Sequence, residues 1–362
     1  MEKEGITLKL ISGYIEGQEL VFSAWNERGL FKYNLKTNEI KLLTILPTSQ
    51  TAYGYGFICK DDDVAYLSPC HANSLLCINT NSWEIIDNIY IDDNIIGVND
   101  TRYGYIASIN DKVVIQPYSA HAVIVYNKKT KKMDYFDDCF IYIKQNYGCY
   151  SQFIFLGETL ADNELYFVCQ QNNLLIEFDV EKRETSYYPI GSDKDLLNNV
   201  VYDGEDFWIY TNAGDLFRWN KKSGIKSKYD RLIQQNADDS SICIYKGRIW
   251  IAGKSMYECV SVNIETGNVV SEEFYRNVCE KEGSGSLKII NDKMFYFPNR
   301  NDYIYSVDVE KKTLHGNKII LQGDEYRKYI DEIIRYDTQK NSLVYEKHNH
   351  MMTSFLEQIQ RR

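Results

Sequence analysis

An asparagine or aspartate closes a short apolar run at seven places in this chain: Asn34, Asn79, Asn127, Asp179, Asn220, Asn263 and Asp308. In five of them a serine or threonine follows three residues later (Thr37, Ser82, Thr130, Ser223, Thr266). A short Asx side chain accepts a hydrogen bond from a backbone N–H two residues on, which closes a turn and reverses the chain. The seven positions stand 45, 48, 52, 41, 43 and 45 residues apart. Around each lies one plan: an apolar run, a polar loop, a second run ending at the Asx, a charged turn and another extended piece. Residues 294–314, MFYFPNRNDYIYSVDVEKKTL, show it most clearly. Upstream of each unit sits a further extended piece ending in a polar turn, such as GFICKDDD, IASINDK or LKIINDK.

Four short antiparallel strands recurring at this period describe the blades of a β-propeller, so the expected fold is all-β and a single domain over residues 1–362. After Asp308 the segments EIIRYDTQKN, SLVYEK and TSFLEQI read as three more strands, and residues 4–10, EGITLKL, supply a fourth from the other end. On that count there are eight blades, closed by the N-terminal strand pairing into the C-terminal blade, which removes exposed sheet edges. The alternative is seven blades plus a C-terminal appendage. Tyr326, Tyr329, Ile330 and Ile333, and again Met352, Phe355, Leu356 and Ile359, fall at helical i, i+3, i+4, i+7 spacing.

Apolar content of 44% is ordinary for a chain that buries a core. No apolar run reaches the roughly 20 residues that span a bilayer, and the N-terminus has no secretory pattern, so the expectation is a cytoplasmic protein without a membrane partner. The nine cysteines are odd in number and contain no C-x-x-C, which reads as small core residues in a reducing compartment. A formal charge of −10 disfavours a nucleic-acid surface, which needs a basic stripe. The basic run Lys128-Lys129-Thr130-Lys131-Lys132 lies on a hairpin turn and reads as solvated charge. The thirty tyrosines offer flat faces with polar tips, but a tyrosine-rich codon usage explains the number equally well.

In a propeller, the loops between second and third strands and those leading into each first strand open on one face, where binding residues are usually found. The first set supplies Trp25, His71, Asn73, Tyr118, His121, Gln171, Asn212, Arg300, His348 and His350. The second set repeats tyrosine beside glycine, at Tyr53-Gly54-Tyr55-Gly56, Arg102-Tyr103-Gly104-Tyr105 and Tyr147-Gly148-Cys149-Tyr150, giving Tyr55, Arg102, Tyr103 and Tyr150. Together these residues suit a carbohydrate or peptide, where rings stack and amides hydrogen-bond. The competing reading is that the Tyr-Gly pairs simply pack neighbouring blades. His348-x-His350 is the only close histidine pair and has no zinc spacing. No P-loop, dinucleotide fingerprint or G-x-S-x-G occurs, so no cofactor, metal or catalytic residue is assigned.

The units IYSVDVEKKT, SVNIETG and FRWNKKSG resemble the repeats of bacterial Kelch-like and related propellers over nearly the whole chain. The likeness implies the architecture rather than one activity. The Gly-Gly of Kelch repeats is absent, as are the Gly-His and Trp-Asp of WD40 units. The function expected is a binding scaffold for a protein, peptide or carbohydrate on the loop face. The alternative is a carbohydrate-active lyase or hydrolase using His71, His121 or the His348/His350 pair as acid or base.

Overall fold

The computed structural model describes residues 5–47, 54–92, 102–148, 154–233, 240–253, 259–276, 285–298 and 301–341. After a short strand β1 (Gly5–Thr7), blade 1 is β2 (Leu10–Glu16), β3 (Glu19–Ala24), β4 (Gly29–Asn34) and β5 (Ile40–Ile45). Blade 2 is β6 (Tyr55–Asp61), β7 (Val64–Pro69), β8 (Ser74–Asn79) and β9 (Ile85–Tyr90). Blade 3 is β10 (Tyr103–Ile109), β11 (Lys112–Pro117), β12 (Val123–Asn127) and β13 (Lys132–Phe136), followed by helix α1 (Asp138–Tyr147). Blade 4 is β14 (Phe155–Ala161), β15 (Glu164–Cys169), β16 (Leu174–Asp179) and β17 (Glu184–Pro189). Blade 5 is β18 (Leu197–Tyr202), β19 (Phe207–Thr211), β20 (Leu216–Asn220) and β21 (Gly224–Tyr229). Blade 6 is β22 (Ser241–Tyr245), β23 (Arg248–Ala252), β24 (Cys259–Asn263) and β25 (Val269–Glu272). A two-residue strand β26 (Tyr275–Arg276) precedes blade 7, which is β27 (Gly285–Ile290), β28 (Lys293–Pro298), β29 (Tyr303–Asp308) and β30 (Thr313–Lys318). The chain continues through β31 (Ile320–Gln322) into helix α2 (Gly323–Asn341).

Each blade is an antiparallel meander, so the strand order is the sequence order; β26 adds in parallel to the outer strand of blade 7. The Asx reading holds at all seven units. The side-chain oxygen of Asn34, Asn79, Asn127, Asp179, Asn220, Asn263 and Asp308 accepts the backbone N–H two residues on, at 2.9–3.1 Å. In six units it also accepts the next N–H.

The blade count is seven, not eight. The expected first strand of an eighth blade, EIIRYDTQKN, lies in α2, because Tyr326, Tyr329, Ile330 and Ile333 form one apolar stripe against blade 1. The segments SLVYEK and TSFLEQI lie outside the described residues. The expected pairing of the N-terminus into a C-terminal blade is also corrected. β1 pairs antiparallel with β31 through Gly5–Gln322, Ile6–Leu321 and Thr7–Ile320, and the two form a sheet of their own.

Both faces of each blade are covered, which is why strands such as LLIEFD and KVVIQP are buried along their whole length. The described core divides into seven clusters, each shared by two neighbouring blades. Val21 and Leu30 meet Ile58, Leu67 and Leu76 between blades 1 and 2, and Trp208 and Leu216 meet Ile249 and Val262 between blades 5 and 6. One cluster joins Phe22, Phe31 and Leu42 of blade 1 to Phe295, Phe297 and Ile304 of blade 7 and to Tyr329 of α2. Burial at this density is the dominant stabilising contribution, at about 25 cal/mol per Å² of apolar surface.

Candidate functional site

Antiparallel order places the second-to-third-strand loops and the blade-to-blade connections on one face and the remaining hairpin turns on the other. On the loop face a hydrogen-bond pattern repeats. The amides of Cys70, His71 and Ala72 converge on the carbonyl of Gly54, and those of Tyr118, Ser119 and Ala120 converge on the carbonyl of Arg102. Each loop is thereby folded down on the residue that leads into its own blade. Neighbouring blades are then linked in series: Arg102 N donates to Cys70 O, Phe155 N to Tyr118 O, and Leu197 N to Asn172 O.

This series brings Asn73, Arg102, Tyr118 and His121 into one row over blades 2 and 3. The Arg102 guanidinium donates through Nη1 to Ala72 O at 3.1 Å and to Asn73 Oδ1. Asn73 is exposed, and His71, Arg102, Tyr118 and His121 are half-buried. His121 stacks on Phe140 of α1 with ring centroids 4.1 Å apart. Burial, and then the ammonium of Lys144 on the same helix, hold the His121 imidazole below its usual pKa. Lys144 itself is exposed. α1 is fixed beside this row by its buried Cys139 and Ile143 and by the stack of Tyr142 on Tyr187 at 3.7 Å.

The other candidates are placed differently. Tyr55 and Tyr103 are 2% and 0% exposed, and each opens the inner strand of its blade with the ring packed between blades. Tyr55 Oη shares a hydrogen bond with Ser74 Oγ at 2.8 Å. Burial pushes the hydroxyls of both tyrosines upward in pKa. These two Tyr-Gly pairs therefore pack blades together. The third is not equivalent to them, because Tyr147 ends α1 and Gly148 caps it with φ of 92°. Gln171 Oε1 accepts Ile154 N at 2.9 Å in blade 4, and Asn212 Oδ1 accepts Asn198 Nδ2 at 2.9 Å in blade 5. Trp25 is half-buried in blade 1, its amide donating to Lys9 O at 2.7 Å. Tyr150, Arg300, His348 and His350 lie outside the described residues.

The loop of blade 1 is occupied by α2. Tyr329 Oη donates to Glu27 Oε2 at 2.7 Å and accepts Arg28 N at 3.2 Å, and Arg28 pairs with Asp337 at 3.0 Å. Burial raises the Glu27 pKa, and the Tyr329 hydrogen bond opposes that rise. Sequence reasoning missed α1 altogether, although Cys139, Ile143 and Tyr147 stand at i, i+4, i+8. It also passed over buried amides near this face: Gln116 Oε1 and Asn173 Oδ1 have no hydrogen-bond partner among the described residues.

No family model matches the chain, and no curated protein is detectably similar in sequence. Solved structures do resemble it. Virginiamycin B lyase from Staphylococcus aureus aligns with a TM-score of 0.56 at 12% identity, over 74% of this chain and 84% of that one. BamB from Moraxella catarrhalis aligns at 0.55 and 11% identity, over 80% and 82%. A chain of a mitotic checkpoint complex aligns at 0.56 and 9% identity, over 86% and 89%. At these identities the likeness speaks for architecture alone, and with the strand order above it makes this chain a seven-bladed β-propeller.

Proposed function

We propose that the protein is a binding scaffold that takes a protein partner on its loop face, over blades 2 and 3 and the adjoining α1. The observation that carries this reading is the tie from Arg102 to Ala72 and Asn73. It holds the loops of two blades in one arrangement, so little ordering is left to do when a partner binds. Arg102 and Lys144 place two cations in this sector of a chain of formal charge −10. That contrast suits an acidic segment of the partner and steers its approach. One similar chain was solved within a mitotic checkpoint complex, so assembly with other proteins is within the reach of this architecture. The free thiols of Cys77, Cys169 and Cys243 fit a reducing, cytoplasmic setting, which belongs to the same proposal.

The competing reading, a lyase or hydrolase acting on a carbohydrate, would use His121 as acid or base. Its charged neighbour is Lys144, and its ring is spent in stacking on Phe140. Selection of displayed peptides against the wild-type protein tests the scaffold reading. The selected peptides are expected to be acidic and to lose about tenfold in affinity, roughly 1.4 kcal/mol, to Arg102→Ala. Lys246→Ala, on the opposite face, serves as the control and should leave them unchanged. Peptides that bind Arg102→Ala as well as wild type would send the search for the partner elsewhere.

A further inference from the structure

The loop between β3 and β4 of blade 1 carries an acid and a base side by side, and among the described residues Glu27 and Arg28 form no ion pair with each other. Both turn to α2 instead. Glu27 Oε2 accepts from Tyr329 Oη at 2.7 Å, and Arg28 Nη1 donates to both carboxylate oxygens of Asp337 at 3.0 and 3.1 Å. The Arg28 guanidinium also lies 5.3 Å from the ring centroid of Tyr336. The equivalent loops of blades 2 and 3, residues 70–73 (CHAN) and 118–122 (YSAHA), hold no such pair of opposite charges.

This loop is set without the helix. Asn26 ties it to the N-terminal segment, donating through Nδ2 to Thr7 O at 2.7 Å and accepting Lys9 N at 2.9 Å, and Leu46 N donates to Arg28 O at 3.2 Å. α2, by contrast, is attached through side chains: among the described residues every hydrogen bond between it and the propeller is made by a side chain of the helix. Its first residue, Gly323, has φ of 63° and open space around it, so the helix begins where the backbone can pivot. The fit is also incomplete. Of the apolar stripe Tyr329 is buried, whereas Tyr326, Ile330, Ile333 and Tyr336 are only partly so, and Arg28 Nε is buried with no hydrogen-bond partner among the described residues. A loop formed without its occupant, holding a donor that the occupant leaves unused, can take a better one.

We propose that this loop is the receptor for an amphipathic helix of a partner protein, and that α2 is the resident helix it displaces. The recognised helix brings a tyrosine to Glu27 and, eight residues later, a carboxylate to Arg28, with an apolar stripe between them, since this is what α2 itself presents. Helices laid in grooves are read by anchors spaced turn by turn in this way. A carboxylate that also reaches Nε engages Arg28 through two parallel N–H groups, the stronger geometry for this pair. α2 competes at an effective concentration on the order of millimolar because β31 joins it to the body of the protein, which closes the site to helices that fit no better than α2 does. The site is distinct from the row over blades 2 and 3 and does not rest on the reading of that row.

A fluorescein-labelled peptide of residues 323–341, followed by anisotropy against the full-length protein, tests this. Wild type should bind it weakly, because its own α2 is in place. A chain with Tyr329→Phe and Asp337→Asn, which keeps the apolar stripe but loosens the polar anchors, is expected to bind the peptide at least tenfold more tightly. Adding Arg28→Ala to that chain should remove the gain, and a peptide with the same two substitutions should bind the loosened chain at least tenfold more weakly than the unsubstituted one. Amide exchange on the wild-type protein needs no variant: α2 is expected to open as a unit of its own, ahead of the strands of blade 1. Equal peptide affinity for wild type and the loosened chain, indifference to Arg28, or α2 amides that exchange only together with blade 1 would overturn the proposal. So would a dimer of the full-length protein that is lost with Arg28→Ala, since the occupant would then be α2 of a second copy.

Discussion

Four positions after each Asx the backbone turns left-handed, at Asn38, Trp83, Lys131, Arg183, Gly224, Gly267 and Lys312, with φ between 55° and 78°. Only two of the seven are glycine. A side chain there costs about 1–2 kcal/mol, against about 0.5–1 kcal/mol that glycine costs in chain entropy. Lys131→Gly is therefore expected to stabilise the fold by about 0.5–1 kcal/mol, read from the urea midpoint. Asn127→Ala, which removes the acceptor for Lys129 N and Thr130 N, should lower stability by about 1–2 kcal/mol in the same assay. The Asx was legible in the sequence because its chemistry is local, whereas the left-handed residue was not, because four of the seven side chains (Trp83, Lys131, Arg183 and Lys312) give no hint of it. His121 titrates with a definite sign. Its folded pKa lies below the ordinary value of 6.5, so the neutral ring is favoured in the folded state. The stability this brings is complete above that ordinary value and is lost as pH falls through the folded one. The urea midpoint should drop between pH 7.5 and 5.5, and His121→Phe, which keeps a ring against Phe140, should flatten that drop.

At the scale of elements, the strands followed from the repeat, and the two helices separate what pattern reveals from what it hides. The α2 stripe was visible as a helical alternative to an eighth blade, but the same residues also read as a strand. What decides is tertiary: Tyr329 reaches Phe31, Glu27 and Arg28, contacts 301 and 302 residues apart in sequence for its two hydrogen bonds. The helix also caps an edge. Glu325 Oε2 accepts Leu42 N at 3.0 Å and Lys328 Nζ donates to Leu42 O at 3.3 Å, so backbone groups on the outermost strand of blade 1 are satisfied by helix side chains. Tyr329→Phe would leave the half-buried Glu27 with its Oε2 unpaired and only the Asn26 donor on Oε1, at about 1–2 kcal/mol. Proteolysis and amide exchange are expected to quicken in α2 while the strands of blades 3–5 stay protected. Unchanged exchange in α2 would mean that the apolar stripe alone holds it. α1 was hidden for a different reason: it interrupts the repeat at the one interval of 52 residues, and its end, Tyr147-Gly148, has the same residue pattern as the loops that lead into β6 and β10.

For the whole molecule, the repeat fixed the blades but not the site. Asn73, Arg102, Tyr118 and His121 gathered because successive loops share one face, while Tyr55 and Tyr103 were drawn into the joints by their apolar rings. The face opposite the loops holds one more pattern. Lys60 meets Glu16 at 2.6 Å across blades 1 and 2, Lys128 meets Asp61 across 2 and 3, and Lys112 meets Glu181 across 3 and 4. Lys221 meets Glu177 across 4 and 5, Arg218 meets the Ile264 carbonyl at 3.0 Å across 5 and 6, Tyr245 meets the Asp292 carbonyl at 2.9 Å across 6 and 7, and Asn291 meets the Gly17 carbonyl across 7 and 1. The blades share a plan, but no two of these fasteners use the same pair of positions. At the four joints made by a charge pair, a unit lost or doubled would part a lysine from its carboxylate, whereas the three joints made to main-chain carbonyls could be remade by any blade, so duplication of a unit is costliest between blades 1 and 5.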